Sequence, residues 1–319
     1  MAAAMRKAQF VTDWMDMKPN IPIPRIDWIQ HKALDLPYGD HPLQKLDLYF
    51  PNQGSTPYPL LIIIHGGGFT LMDKRDWHLY PGFFALQDGF ALASINYRLA
   101  PKHQFPAAVN DTLAALDYLS ANANRYQLDP ANFCLQGTSA GGSLALLAAF
   151  RLALRAPEQN TSCSIRAIGA LCPVTSLAAL FTRPRQPNPF SFKLGRLLMR
   201  YSATKYLGRG ALRDPERLRQ AGTESGLTQL NTQKVAFPPT YFLQGDRDPL
   251  IPEHVTSQFY NQLRAASNLN SSDLVYRLLP GAGHAGGGPE FFETLTIKDL
   301  IAFYSAHLLP HSSFSHSYV

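Results

Sequence analysis

The chain has 319 residues, 45% of them apolar, and 29 Lys+Arg against 23 Asp+Glu give a net charge of +6. Charged residues make up only 16%, below the roughly 25% of an average soluble domain, which excludes a disordered chain, a long coiled coil and a small disulfide scaffold. The longest unbroken apolar run is Leu144 to Phe150, far short of the ~18 residues a membrane-spanning helix needs.

The start, Met-Ala-Ala-Ala-Met-Arg-Lys, turns polar at Thr12, Asp13 and Asp16 without the apolar core of a secretory signal. Residues 1–40 are interrupted by Pro19, Pro22, Pro24 and Pro37 and read as a wrap over the surface after an initial helical turn. The three cysteines, Cys134, Cys163 and Cys172, have no metal-like spacing. Cys134 and Cys172 lie in apolar runs, where a free thiol packs as a small hydrophobe. A reduced, cytoplasmic protein is the expectation.

Beyond residue 40, strand-like runs alternate with helical patterns. Strands are predicted near 46–50, 60–64, 90–96, 132–136, 168–172, 240–244 and 274–279. Several are solid apolar runs, as expected of parallel strands buried on both faces. A helix over 106–123 places Val109, Leu113, Leu116 and Leu119 on one face, and Ile297, Ile301, Tyr304 and Leu308 do likewise near the C-terminus. The pattern is that of an α/β protein, a mostly parallel central sheet flanked by helices, spanning 1–319 as one domain.

Residues 176–235 break the alternation and are too long for a loop, so an inserted helical cap is expected. Within it, 193–205 is predicted as a helix with Lys193, Arg196 and Arg200 on one side and Leu194, Leu197, Leu198 and Tyr201 on the other. The leucine face is expected to cover the mouth of the site and the cationic face to stay in water. The insertion holds 11 Lys/Arg against Asp214, Glu216 and Glu224, or 11 − 3 = +8, which leaves 6 − 8 = −2 elsewhere. Basic charge is therefore local, and no nucleic-acid-binding motif accompanies it.

Gly137-Thr138-Ser139-Ala140-Gly141-Gly142 follows an apolar strand and opens a helix of small and apolar residues. That context suits a nucleophile elbow, with Ser139 strained, exposed and set at a helix N-terminus that favours negative charge. His65-Gly66-Gly67-Gly68-Phe69 directly follows the strand at 60–64. Its glycines can offer unobstructed N–H groups to an oxyanion, with the N–H of Ala140 as partner. No Gly-Lys-Ser/Thr follows, so it is not a phosphate loop, and His65 is expected to brace the loop by hydrogen bonding. A nucleophilic serine needs a base and an orienting acid, in the order Ser, acid, His for this arrangement. Asp246 and Asp248 are both candidate acids, and His284 follows the next strand in a glycine-rich loop. Gly281-x-Gly283-x-x-Gly286 matches a dinucleotide fingerprint, but no strand follows to complete the βαβ unit, and it is set aside. Neither a metal nor a cofactor is expected, since His-Glu-x-x-His and paired cysteines are missing.

With Tyr97-Arg98-Leu99-Ala100-Pro101, Phe105-Pro106-Ala107-Ala108 and Asp248-Pro249-Leu250, these motifs resemble the α/β-hydrolase esterases, the hormone-sensitive-lipase-like group and its relatives. The resemblance covers roughly residues 40–310. It implies a triad of Ser139, Asp248 and His284, an oxyanion hole of Gly67, Gly68 and Ala140, and an α/β-hydrolase fold with a helical cap. Thr138 stands where the hormone-sensitive-lipase-like group usually has Asp, and Ala-Gly-Gly-Gly follows His284 in place of Gly-Phe. Both features look closer to the feruloyl-esterase-like and arylformamidase-like relatives, which include acetyl and carbohydrate esterases. The expected activity is hydrolysis of small-molecule esters with short acyl chains through an acyl-enzyme, without cofactor, nucleic acid or integral membrane association. Amide or formamide hydrolysis by the same triad is the alternative, followed by a non-catalytic ligand-binding member of the fold.

Overall fold

The computed structural model describes residues 24–155, 163–179, 190–233, 235–285 and 289–310. Eight strands form one sheet: β1 Lys32–Pro37, β2 Lys45–Tyr49, β3 Tyr58–Ile64, β4 Ala91–Ile95, β5 Leu128–Thr138, β6 Ile165–Leu171, β7 Thr240–Gly245 and β8 Leu274–Leu279. Their order is β1-β2-β4-β3-β5-β6-β7-β8. β2 runs antiparallel to both of its neighbours, and every other pair is parallel.

The solid apolar runs sit where two-sided burial requires them. In β3, Leu60, Ile62 and Ile64 face one core while Leu61 and Ile63 face the other, the period-2 alternation of a pleated strand. Helices α1 (Gly82–Gln87), α2 (Ala107–Ala121) and α3 (Ala140–Ala153) connect the strands from β3 to β6, α7 (Glu253–Ala266) links β7 to β8, and α8 (Thr294–Ala306) follows β8. Side chains of α2, α3 and α7 fill the first core, and those of α1 and α8 the second. Among the described residues, no helix is long and apolar enough to cross a membrane.

β1 was not among the expected strands. It lies in the segment read as a wrap, pairs with β2 at the sheet edge and has a register irregularity between Ala33 and Leu36. Ion pairs tie this edge to the loop after β3: Lys74 Nζ meets Asp35 Oδ1 at 2.7 Å, and Arg75 Nε meets the buried Asp47 Oδ2 at 2.5 Å. Residues 1–23 of the expected wrap lie outside the described residues.

Between β6 and β7 come α4 (Phe190–Leu207), α5 (Pro215–Ala221) and α6 (Glu224–Gln233). Asp214 caps α5 by accepting the N–H groups of Glu216 and Arg217, both at 3.1 Å, a standard use of Asp at a helix start. The expected facing of α4 holds for Leu198, which packs on the core, and for Lys193 and Arg200, which are exposed, but is corrected for Leu197 and Tyr201. Leu197 and Tyr201 are 51% and 60% exposed, whereas Met199, Ala203, Tyr206 and Leu207 are buried. Positions 195, 199, 202, 203 and 206 share one stripe at helical spacing. That stripe buries because Gly195 and Ala203 let the helix approach the domain closely, and the leucines flank it.

Candidate active site

β5 runs directly into α3 through Ser139, whose backbone stands at φ 55°, ψ −117°. A non-glycine residue there is strained, and two close crossings maintain it. A methyl group at Gly137 would lie 2.1 Å from the Gly141 carbonyl oxygen, and one at Gly141 would lie 2.0 Å from the Ile64 carbonyl oxygen. Both glycines are therefore steric requirements for packing α3 against the ends of β5 and β3. The Ser139 N–H donates to Leu171 O at 2.8 Å, fixing the turn to β6.

Asp248 is fully buried beyond β7. Its Oδ1 accepts the N–H groups of Leu250 (2.8 Å) and Ile251 (2.9 Å), and Gln244 Nε2 donates to Oδ2 at 3.1 Å. The same Oδ2 meets His284 Nδ1 at 2.7 Å. Asp246, the other candidate acid, instead accepts the Gly281 N–H at 2.7 Å. Because Asp248 only accepts, the neutral ring carries its proton on Nδ1 and leaves Nε2 the lone pair a general base needs. Burial pulls the imidazole pKa down, but the Asp248 carboxylate and the Cys172 sulfur outweigh it and hold His284 well above the ordinary 6.5. The structure thus joins Asp248 to His284 and leaves Ser139 outside that pair, since no hydrogen bond runs from its hydroxyl to the imidazole. Such contacts commonly tighten only when substrate binds.

The loop after β3 carries Gly67 at φ 92° and Gly68 at φ 58°. Among the described residues, no backbone carbonyl accepts from the N–H of either, and the Ala140 N–H, opening α3, has no intrahelical partner. The loop is braced from behind. Tyr97 Oη donates to the carbonyls of His65 (2.9 Å) and Gly66 (3.0 Å), and its ring stacks on the His65 imidazole at 4.3 Å. His65 is buried, and desolvation lowers its pKa to about 4, so it is neutral in its structural role. The Gly66 N–H donates to His78 Nε2 at 3.2 Å, and His78 Nδ1 meets Asp76 Oδ1 at 2.5 Å. Arg98, next to Tyr97, is clamped by the buried Asp111 of α2, with Nη2–Oδ1 at 2.6 Å.

Three contributors were missed from sequence. The Asp76–His78 brace depends on which backbone N–H the histidine meets, which no local pattern reveals. Cys172, at the end of β6 with φ 37°, lies against the His284 ring, although its apolar surroundings suggested a filler. The third is Ser202 of α4, whose hydroxyl would stand 2.8 Å from a methyl group placed on Gly68. At the other end of the same stripe, a methyl group on Gly195 would lie 1.9 Å from the Pro249 carbonyl oxygen. α4 thus rests on both the acid loop and the glycine loop.

The BD-FAE family profile matches residues 46–263. The chain is 28% identical over 252 residues to esterase LipC of Mycobacterium tuberculosis, covering 77% of this chain and 58% of LipC. It is 27% identical over 274 residues to esterase LipQ of the same organism, covering 84% and 60% respectively. The chain therefore spans about three fifths of the length of these two relatives. Among solved structures, esterase B from Lactobacillus rhamnosis superposes with a TM-score of 0.71 at 19% identity, covering 95% of this chain and 94% of that one. A truncated carbohydrate esterase from gut microbiota gives a TM-score of 0.67 at 21% identity, covering 89% and 98%. These likenesses establish an α/β-hydrolase fold. As the family match takes in the glycine loop, the serine elbow and the acid loop, the chain belongs to the BD-FAE family of that fold.

Proposed function

We propose that the protein is a serine hydrolase of small carboxylic esters, with Ser139, Asp248 and His284 as its triad. The observation that carries this reading is the 2.7 Å Asp248–His284 bond between the loops after β7 and β8, at the same C-terminal end of the parallel strands as an elbow serine at φ 55° after β5. Ser139 Oγ attacks the ester carbonyl carbon while His284 Nε2 takes its proton, and Asp248 stabilises the imidazolium. The carbonyl oxygen becomes anionic and receives hydrogen bonds from the N–H groups of Gly67, Gly68 and Ala140. Collapse breaks the ester C–O bond, the leaving alcohol takes the proton from His284, and the acyl group stays on Ser139. Water then repeats the cycle, releasing the carboxylic acid. The scheme requires no cofactor.

Short acyl chains, acetyl to about hexanoyl, are the preferred substrates in this reading. Phe69, ending the glycine loop, is buried and stacks on Tyr206 of α4 at 3.8 Å, while Ser202 stands over Gly68. A methylene adds ~0.8 kcal/mol of binding only while room remains, after which overpacking costs about 1–3 kcal/mol. Tyr201, on the outer side of α4, is exposed and does not narrow the pocket. The names of the relatives given above, esterases LipC and LipQ, favour an ester over an amide. Because α4 rests on both loops of the site, sheet and cap are read as one domain.

A phosphonate-ester probe tests the nucleophile, and a panel of p-nitrophenyl esters from acetate to palmitate, sugar acetates and N-formyl aromatics tests the substrate class. Labelling of Ser139 and the highest kcat/KM on short esters are expected. A folded protein that is never labelled at Ser139 overturns the mechanism, and faster turnover of the formamides overturns the ester assignment.

A further inference from the structure

Three residues from three neighbouring strand ends converge at the His284 ring. Cys172 follows β6, Asp248 follows β7 and His284 follows β8, and β6, β7 and β8 are parallel neighbours. One donor atom from each residue lies within 4.8 Å of the other two. The Cys172 backbone is pinned at φ 37°, with its N–H donating to Leu243 O at 2.7 Å. No step of ester hydrolysis by the triad calls for sulfur at this point.

A thiolate, an imidazole nitrogen and a carboxylate oxygen form a donor set for Zn²⁺ or a cation of similar softness. Magnesium and calcium, which take oxygen ligands, are disfavoured by the sulfur. Bonds of about 2.0–2.3 Å place tetrahedral donors roughly 3.3–3.7 Å apart, and the three donor atoms lie within 4.8 Å of one another. His284 Nδ1 and Asp248 Oδ2, 2.7 Å apart across their shared proton, need to separate by only about 0.6 Å when the metal replaces it. The hydrogen bonds that orient a ligating carboxylate are already made: Leu250 and Ile251 hold Asp248 Oδ1, and Gln244 holds Oδ2. The His284 side chain, 11% exposed, gives a cation its approach.

We propose that Cys172, Asp248 and His284 form an inhibitory site for Zn²⁺ or a similarly thiophilic divalent cation. The metal replaces the proton between His284 Nδ1 and Asp248 Oδ2 and the thiol proton of Cys172, both released to solvent, so His284 no longer relays a proton and hydrolysis stops. Inhibition as a readout rests on the hydrolase reading above, whereas binding of the cation does not.

The test uses the full chain, washed free of metal with chelator. Micromolar Zn²⁺ is expected to lower p-nitrophenyl butyrate turnover at least about tenfold, with recovery on chelation. Cd²⁺ added to Ser139→Ala protein is expected to give the ultraviolet sulfur-to-cadmium charge-transfer band, saturating at one equivalent. Cys172→Ala should lose that band and need roughly tenfold or more Zn²⁺ for equal inhibition, while Cys134→Ala and Cys163→Ala keep both responses. If Cys172→Ala does not fold, Cys172→Ser, which exchanges sulfur for a weaker oxygen donor, should lose the band. A band that survives removal of the Cys172 sulfur, or a wild type indifferent to Zn²⁺, overturns the proposal. Loss of turnover in Ser139→Ala without any cadmium band overturns the metal site alone. A cadmium band together with full turnover in Ser139→Ala overturns the hydrolase reading instead and leaves the metal site standing.

Discussion

Asp246 and Asp248, two positions apart on one loop, hold the two ends of the same short segment: Asp246 Oδ1 accepts the Gly281 N–H, and Asp248 Oδ2 accepts from the His284 ring, each at 2.7 Å. One sets where the histidine loop begins and the other sets the tautomer of the histidine itself. Asp248→Asn should therefore lose about 10⁴ in kcat, because an amide can present an N–H to Nδ1 and reverse the tautomer. Asp246→Asn should keep turnover within about tenfold and lose ~1–2 kcal/mol of stability. Steady-state kinetics and thermal melts of the two variants separate these outcomes, and the opposite ranking would mean that Asp246 is the acid.

The pH dependence follows from the raised pKa of His284. A general base works deprotonated, so activity rises as pH climbs through its pKa and is absent below it. Since Asp248 and Cys172 outweigh burial and raise that pKa, the acid limb of kcat/KM should lie above the ordinary 6.5. Residual activity in Asp248→Asn should show an acid limb shifted to lower pH. An acid limb below the ordinary histidine value in the wild type would contradict the arrangement.

Gly141→Ala tests the elbow as a packing device. Its methyl group would lie 2.0 Å from the Ile64 carbonyl oxygen, and neither backbone is free to yield. A loss of ~3 kcal/mol or more is expected, seen as a lowered urea midpoint or insoluble protein. A variant as stable as wild type would show that α3 does not seat on β3 as described.

At the sheet edge, Lys74 and Arg75 hold the Asp35 carboxyl at about 2, below its ordinary 3.8. A depressed carboxyl stabilises the fold above its unfolded pKa, and that contribution is lost as pH falls from about 4 through about 2. Asp35 is 48% exposed in its side chain, so the contribution is under about 1 kcal/mol. Asp35→Asn should lower the melting temperature slightly at neutral pH, and the difference should vanish in strong acid.

The strands were legible because two-sided burial writes itself as an apolar run, as in Leu60–Ile64. β1 was not, since Lys32 to Pro37 is a one-sided edge strand that includes an exposed aspartate. The motifs pointed to Ser139, His284 and the glycine loop as candidates, because the proposed chemistry demands particular residue types beside particular turns. The preference for Asp248 over Asp246 came from the resemblance, since sequence could not show that Asp248 meets the His284 ring while Asp246 meets the Gly281 N–H. The orientation of α4 was misjudged because its small residues decide the approach, whereas Leu197 and Tyr201 suggested a larger apolar face. Cys172 and Ser202 could not be found at all, for their positions depend on contacts between segments distant in the chain.

Gly195 and Ser202 stand seven positions apart, about 10 Å along the helix, and each touches a different half of the site. The stretch of α4 between them works as a ruler. Adding or removing one residue there would turn one end by about 100° relative to the other, freeing either Pro249 or Gly68 from its neighbour. Insertions or deletions tolerated by the fold are therefore expected only in the segments before Gly195 and after Ser202. The outward pair Leu197 and Tyr201 remains open to substitution within the ruler itself, which makes it the place to engineer the cap's outer surface without disturbing either loop.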